Sequence, residues 1–151
     1  MKLSSGVFPY TKFKKENINI CLGTDGASSN NSLDLFREMK AGSLLQKINQ
    51  YNPVVAPAEK MFDLATKNGA KALMIKSGRI KTGYSADLIL VDLNQICLVP
   101  GYNLVSDLVY SCSGNCVSDL ICEGRILMRD KKVPDENEII KKAKNYGLPK
   151  G

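Results

Sequence analysis

Residues 18–22 (INICL) form a short apolar run that stops at Gly23-Thr24-Asp25-Gly26. Beyond it, Leu33, Phe36, Arg37, Ala41, Leu44, Leu45 and Ile48 recur at steps of three and four. The first pattern is that of a buried strand and the second that of a helix laid against a core. An Asp-Gly pair after an apolar run also suits a type I′ hairpin between two antiparallel strands. The next residues argue against the hairpin, because 27–32 (ASSNNS) are rich in N-cap types. The expected unit is strand, loop, helix, with Asp25 in the loop.

The rest of the chain changes character part-way. A second helical stretch is expected after Pro57, with Met61, Leu64 and Ala65 on one side and Asn68-Gly69 closing it before residues 70–75. Residues 86–93 (ADLILVDL) read as a strand, 104–110 as a short helix, and 117–122 with 125–129 as a hairpin around Glu123-Gly124. Pro134 introduces a last helix over 135–146, with Ile139 and Ile140 as a thin apolar stripe. Near residues 76–82 a helical half gives way to a strand-rich half. The expected division is therefore 1–76, 77–134, and a terminal helix and tail over 135–151.

Composition removes whole classes of chemistry. The 151 residues are 44% hydrophobic, enough for one ordinary core, and no apolar run approaches the ~20 residues of a membrane span. The chain contains no histidine, so no Ser-His-Asp triad, Cys-His pair or His-bearing zinc site can be built from it alone. The net charge of +6 sits at the ends: residues 1–16 carry +3, 17–124 carry −1 and 125–151 carry +4. With four Phe, no Trp and no helix-turn-helix spacing, nucleic acid is not an expected partner, and neither is a membrane.

Five cysteines (Cys21, Cys97, Cys112, Cys116, Cys122) are an odd, irregularly spaced set, and the first ten residues lack the apolar core of a signal peptide. Free thiols packed in or near a core, in a reducing cytoplasm, are expected. Cys112-x-x-x-Cys116 with Cys122 could meet a soft metal, but it lacks the two close pairs that structural sites use.

Asp25 is the position where chemistry is expected. Alpha/beta folds place ligands and catalytic groups at the carboxyl ends of strands, in the loop that leads to the helix. Glycines on both sides let the backbone bend and leave the carboxylate facing a cleft. So placed, it can ligate a divalent metal and accept a proton from the metal's water. An Asp that caps the next helix or makes an Asx-turn fits the same position.

Residues 21–47 (CLGTDGASSNNSLDLFREMKAGSLLQK) resemble the last barrel strand and following helix of the amidohydrolase superfamily. The resemblance is specifically to the branch of the 5-methylthioadenosine/S-adenosylhomocysteine deaminases and their chlorohydrolase relatives. It continues in order through ATKNGAKAL, GRIKTGYSADLILVDL, LVSDLVYSCSG and VSDLICEGRILMRD, to about residue 133. It implies an α/β fold, made of part of a (β/α)₈ barrel (its last strand and following helices) with the C-terminal strands of a small β-sandwich. It further implies a zinc-type divalent metal that activates water to displace ammonia from an adenosine-type nucleoside. The aspartate of the GTDG block, here Asp25, would contact that metal and carry the water's proton. Ser28, Asn30 and Asn31 would shape the loop beside it.

The departures are as specific as the match. The family's metal is held mainly by histidines that precede the matching segment, and at position 107 its S-H-L-V-Y stretch has His where this chain has Asp107. A complete barrel takes about 250 residues. The expectation is a C-terminal fragment, inactive and holding no metal alone, that needs an N-terminal partner chain to supply histidines, or that self-associates through uncovered strand edges. The alternative is a non-catalytic remnant or binding chain in which Asp25 is an ordinary loop acid.

Overall fold

A computed structural model describes residues 3–147. It contains α1 (Tyr10–Lys15), α2 (Ala27–Asn30), α3 (Leu35–Gln50), α4 (Ala58–Ala65), α5 (Lys67–Ala72), β1 (Leu88–Val91), α6 (Leu104–Tyr110), β2 (Val117–Cys122), β3 (Arg125–Met128) and α7 (Glu136–Gly147). Short 3₁₀ turns at Ile96–Leu98 and Gly114–Cys116 flank α6. Among the described residues no helix is long and apolar enough to cross a membrane. Residues 148–151 of the expected tail lie outside the described residues.

Residues 18–22 are not a strand. The chain is extended there, but the described strands form one antiparallel sheet in the order β1-β2-β3, and none of them reaches this segment. Its polar groups turn to the helices instead. Leu22 N donates to Leu64 O (3.0 Å), Asn68 Nδ2 to Ile20 O (2.8 Å), and Asn19 Nδ2 to Asn68 O (3.0 Å). A strand is defined by its ladder, so an apolar run with no neighbour to pair with remains extended backbone. Burial is correspondingly incomplete, with Ile18 49% exposed.

Helix α3 forms where the spacing places it, but another face is buried. Phe36, Met39, Ser43 and Gln46 point into the core, whereas Leu33, just before the helix, and Leu44 and Ile48 within it are exposed. Two core positions are thus polar. The fully buried Ser43 hydroxyl donates to Ala56 O (2.8 Å) and lies 2.8 Å from the Tyr110 hydroxyl, joining α3, the following loop and α6. Ser43 is tolerated in the core because its hydroxyl is hydrogen-bonded, whereas Gln46 is bonded only through Nε2, to Phe8 O, and its Oε1 is buried without a partner. The core itself runs between α3, α4 and α6, around Phe36, Met39, Met61, Leu64, Leu98 and Val109.

Asn68-Gly69 does not close the second helical stretch either. The break falls at Thr66 (φ −123°, ψ −95°), and Asn68-Gly69 lies inside α5 because the Asn68 side chain is engaged with the 18–22 segment. Gly78 then brings the backbone against the start of α5. It has φ +73°, and a Cβ there would meet Lys67 Cα and Thr66 O, both at 2.9 Å. Gly78→Ala is expected to cost about 1–2 kcal/mol from the left-handed conformation and more from the backbone overlap. Gly83→Ala isolates the first contribution, since Gly83 has φ +81° and open space around it. Equal losses in urea midpoint for the two variants would show that the close approach is unimportant.

The strand-rich half follows its sequence signals. Leu88 pairs with Ile121 and Ile89 with Leu120, and Cys122 pairs with Arg125 across the hairpin. The turn residues Glu123 (φ 48°) and Gly124 (φ 78°) both have positive φ, as a type I′ turn requires. Asp87 fastens this turn: Oδ1 accepts from Glu123 N (2.8 Å) and Oδ2 from Ser77 Oγ (2.7 Å). The Glu123 amide, followed by the Ser77 hydroxyl, holds the Asp87 carboxyl below its ordinary pKa. Both sheet faces keep apolar side chains half exposed, among them Ile89, Leu90, Ile126 and Leu127.

Candidate functional site

The extended segment delivers residues 23–26 to the start of α2, and the strain at this loop sits on Asp25 itself. Asp25 has φ 59°, while Gly26 is extended (φ −74°, ψ 148°) and Gly23 is not left-handed. The expectation that flanking glycines supply the bend is therefore corrected. An aspartate tolerates the left-handed region because its short side chain can bond locally, and Oδ1 accepts from Gly26 N at 2.7 Å. The Asp-Gly pair leads into a helix rather than a hairpin.

Asn30 closes the loop. Its Nδ2 donates to Thr24 O (2.8 Å) and to Glu38 Oε1 (2.7 Å), tying the turn before α2 to the first turns of α3. Asn31 is the left-handed C-cap of α2, with φ 61°. The exposed Asp25 borders a cleft of about 330 Å³ shared with Thr24, Ser29, Asn30 and Glu38. Glu38 was not singled out by sequence reasoning. Its only signal was a place in the first turn of α3, where acidic residues are common for dipole reasons.

A neighbouring carboxylate anchors the loop's helix to the C-terminal half. Asp34 caps α3 by accepting from Phe36 N (3.0 Å), and it also accepts from Gly114 N (2.9 Å) and pairs with Arg37 (3.3 Å). Asp107, at the position where a histidine was expected, lies in α6 and does not line the Asp25 cleft. Its Oδ2 is buried without a hydrogen-bond partner, an unfavourable arrangement for a carboxylate.

These groups do not make a metal site by themselves. Among the described residues no set of three or more Cys, Asp or Glu is arranged to hold an ion. Catalytic zinc usually takes three protein ligands, and the cleft offers Asp25 and an Asn30-bound Glu38. The thiols divide as well. Cys112 and Cys116 are buried, whereas Cys21, Cys97 and Cys122 are exposed, which corrects the expectation that all five pack in or near the core. Cys97, not Cys122, approaches Cys116, with 3.7 Å between the sulfurs.

Comparison with known proteins gives this geometry its context. The chain is 48% identical over 138 residues to a 5′-deoxyadenosine deaminase of Methanosphaera stadtmanae, covering 91% of this chain and 32% of that protein. It is 45% identical over 150 residues to a 5-methylthioadenosine/S-adenosylhomocysteine deaminase of Pyrococcus horikoshii, covering 98% and 36%. This chain therefore spans about a third of the length of these relatives. Among solved structures it superposes on an adenosine deaminase from Xanthomonas campestris with bound zinc, with a TM-score of 0.91 and 30% identity, over 96% of this chain and 34% of that one. A zinc complex of an atrazine chlorohydrolase from Arthrobacter aurescens shares the fold at a TM-score of 0.82 and 19% identity, over 91% and 31%. The model of the amidohydrolase family matches residues 1–127, which include the left-handed Asp25 loop, its Asn30 tie and the hairpin up to Leu127. The chain belongs to the amidohydrolase family.

Proposed function

We propose that this chain is the C-terminal third of a metal-dependent deaminase acting on adenosine-type nucleosides, and that Asp25 is its contribution to the reacting centre. The observation that carries the reading is the Asp25 loop. A carboxylate in a left-handed turn, clamped through Oδ1 and closed by Asn30 above a cleft, is a positioned group of the kind catalysis needs. The names of the relatives, which cover 5′-deoxyadenosine, 5-methylthioadenosine and S-adenosylhomocysteine, supply the substrate class. In this reading the helical half is the end of a (β/α)₈ barrel, the sheet is part of a composite β-sandwich, and the setting is cytoplasmic.

In this reading Asp25 is the one group this chain would lend to a zinc held mainly by other residues; such a metal would lower the pKa of a water, and the Asp25 carboxylate would orient that water and accept its proton. The other ligands come from histidines outside this chain, in the remaining two-thirds of the assembly or in a partner chain. The chain has no histidine, and no ligand cluster among its described residues, so in this reading turnover is expected only from the assembled enzyme. The 18–22 segment, which joins no sheet, and the exposed Leu44, Ile48 and Ile89 support this reading, in which covering elements would dock there or copies of the chain would self-associate without them. The same lack of a ligand cluster supports the second reading, a non-catalytic remnant.

Co-expression with the N-terminal two-thirds of the Methanosphaera deaminase separates the two. The expected result is a stable complex that releases ammonia from 5′-deoxyadenosine in the presence of zinc, with neither part active alone. Turnover by the isolated chain would overturn the incomplete-site reading. A stable complex without turnover would favour the remnant.

A further inference from the structure

Three of the five thiols gather where the connection between β1 and β2 begins and ends, away from the Asp25 cleft. Cys97 lies in the 3₁₀ turn after β1, and Cys116 ends the turn that leads into β2. Their sulfurs are 3.7 Å apart although 19 positions separate them in sequence. Cys112 lies alongside, its thiol donating to Ser113 O at 3.4 Å. The two ends are firmly placed. Leu98, next to Cys97, is in the core, and Asp92 N donates to Cys116 O at 2.8 Å.

Exposure and acidity divide the roles. Cys97 is exposed and Cys116 is buried. Burial opposes ionisation of Cys116, but hydrogen bonds from the Ser113 backbone and from the Cys112 and Cys97 thiols, with the Lys131 charge, outweigh it and hold its pKa below the ordinary thiol value. Burial pushes Cys112 up to about 12, which keeps it protonated. The pKa is raised at both exposed thiols of this region, at Cys97 by the Cys116 hydrogen bond and then burial, and at Cys122 by burial and then the Asp87 carboxylate, so it is the 3.7 Å approach to Cys116 that singles out Cys97.

We propose that Cys97 and Cys116 form a reversible intrachain disulfide, with hydrogen peroxide as the oxidant. The exposed Cys97 attacks the peroxide as its thiolate and breaks the O–O bond, giving a sulfenic acid at Cys97, while the departing hydroxide takes up the proton that Cys97 had released and leaves as one water. The Cys116 thiolate then attacks the Cys97 sulfur. The S–S bond forms, the S–O bond breaks, and the departing hydroxide takes up the proton that Cys116 had released. Two thiols lose two electrons in all, and one peroxide becomes two waters. The sulfurs must close from 3.7 Å to about 2.05 Å. The bond would staple the turn after β1 to the turn that leads into β2, across the connection that carries α6. A dithiol reverses it by exchange.

The test treats the purified folded chain with hydrogen peroxide, blocks residual thiols in denaturant and maps the peptides by mass spectrometry. The expected result is a fall from five free thiols to three, with the Cys97 peptide joined to the Cys116 peptide and the thiols restored by dithiothreitol. Cys97→Ser, at an exposed position, should abolish the crosslink while Cys21→Ser and Cys122→Ser leave it. In guanidinium the pairing should scatter over all five thiols. Accumulation of sulfinic acid at Cys97 without a crosslink would overturn the proposal, as would a crosslink that survives Cys97→Ser or that maps to Cys112. Neither outcome bears on the deaminase reading.

Discussion

Asp25→Asn in the assembled enzyme is expected to lower turnover by about 10²- to 10⁴-fold, the range for loss of a positioned proton acceptor. The substitution is chosen for what it keeps. Asparagine tolerates the left-handed backbone as aspartate does, and its Oδ1 can still accept from Gly26 N, so the turn at φ 59° should persist. Only the charge is lost. Assembly, melting temperature and KM should change little while kcat falls. Alanine would confound the measurement, because it would add backbone strain and release the Gly26 amide together. Turnover within a few-fold of the parent would remove Asp25 from the reacting centre and return it to the status of a loop acid.

Met61→Ala is expected to destabilise the chain by about 2–5 kcal/mol, a large share of the roughly 5–15 kcal/mol that holds a domain together. Met61 is 2% exposed and packs α4 onto α3 at a point where α3 carries no side chain. A Cβ built on Gly42 would come within 2.8 Å of Met61 Cε, so the thioether's methyl fills the space that the glycine leaves. Truncation would open a void continuous with a cleft of about 270 Å³ that Met61 already borders with Tyr10, Leu22 and Leu64. Met61→Leu conserves volume and should lose under about 1.5 kcal/mol. Urea unfolding with an unchanged slope reads both. A loss below about 1 kcal/mol for Met61→Ala would mean that this contact is not part of the core.

How far the sequence could be read differs between the halves. The hairpin was legible to within one residue, its second strand ending at Met128 rather than Arg129, since two β-rich runs around Glu123-Gly124 need only the positive φ values that such a turn supplies. Helices α3, α6 and α7 were legible as elements, but the caps of the first two were not: α3 is capped by Asp34 rather than by residues 27–32, of which 27–30 form α2, and α6 by Asn103, which accepts from Ser106 N at 2.9 Å. The buried face of α3 was not, because Ser43 and Gln46 occupy core positions on the strength of partners far along the chain. Gln46 Nε2 reaches Phe8 O at 2.8 Å, 38 positions away. In the site, Asp25 could be singled out from its loop and from its block of neighbours. Its left-handed backbone, the Asn30 tie and Glu38 could not.

The division has one physical origin. Periodicity, capping and turn chemistry are energies between residues a few positions apart, so they are written in local order and survive whatever the rest of the molecule does. From them come α3, α6, α7, the hairpin and the Asp25 loop, and composition adds the exclusion of histidine chemistry within this chain. Contacts across long separations are different, because many pairings satisfy the same composition and only packing selects among them. Packing left residues 18–22 extended without a ladder, joined Asp34 to Gly114 across 80 positions and brought Cys97 rather than Cys122 to Cys116.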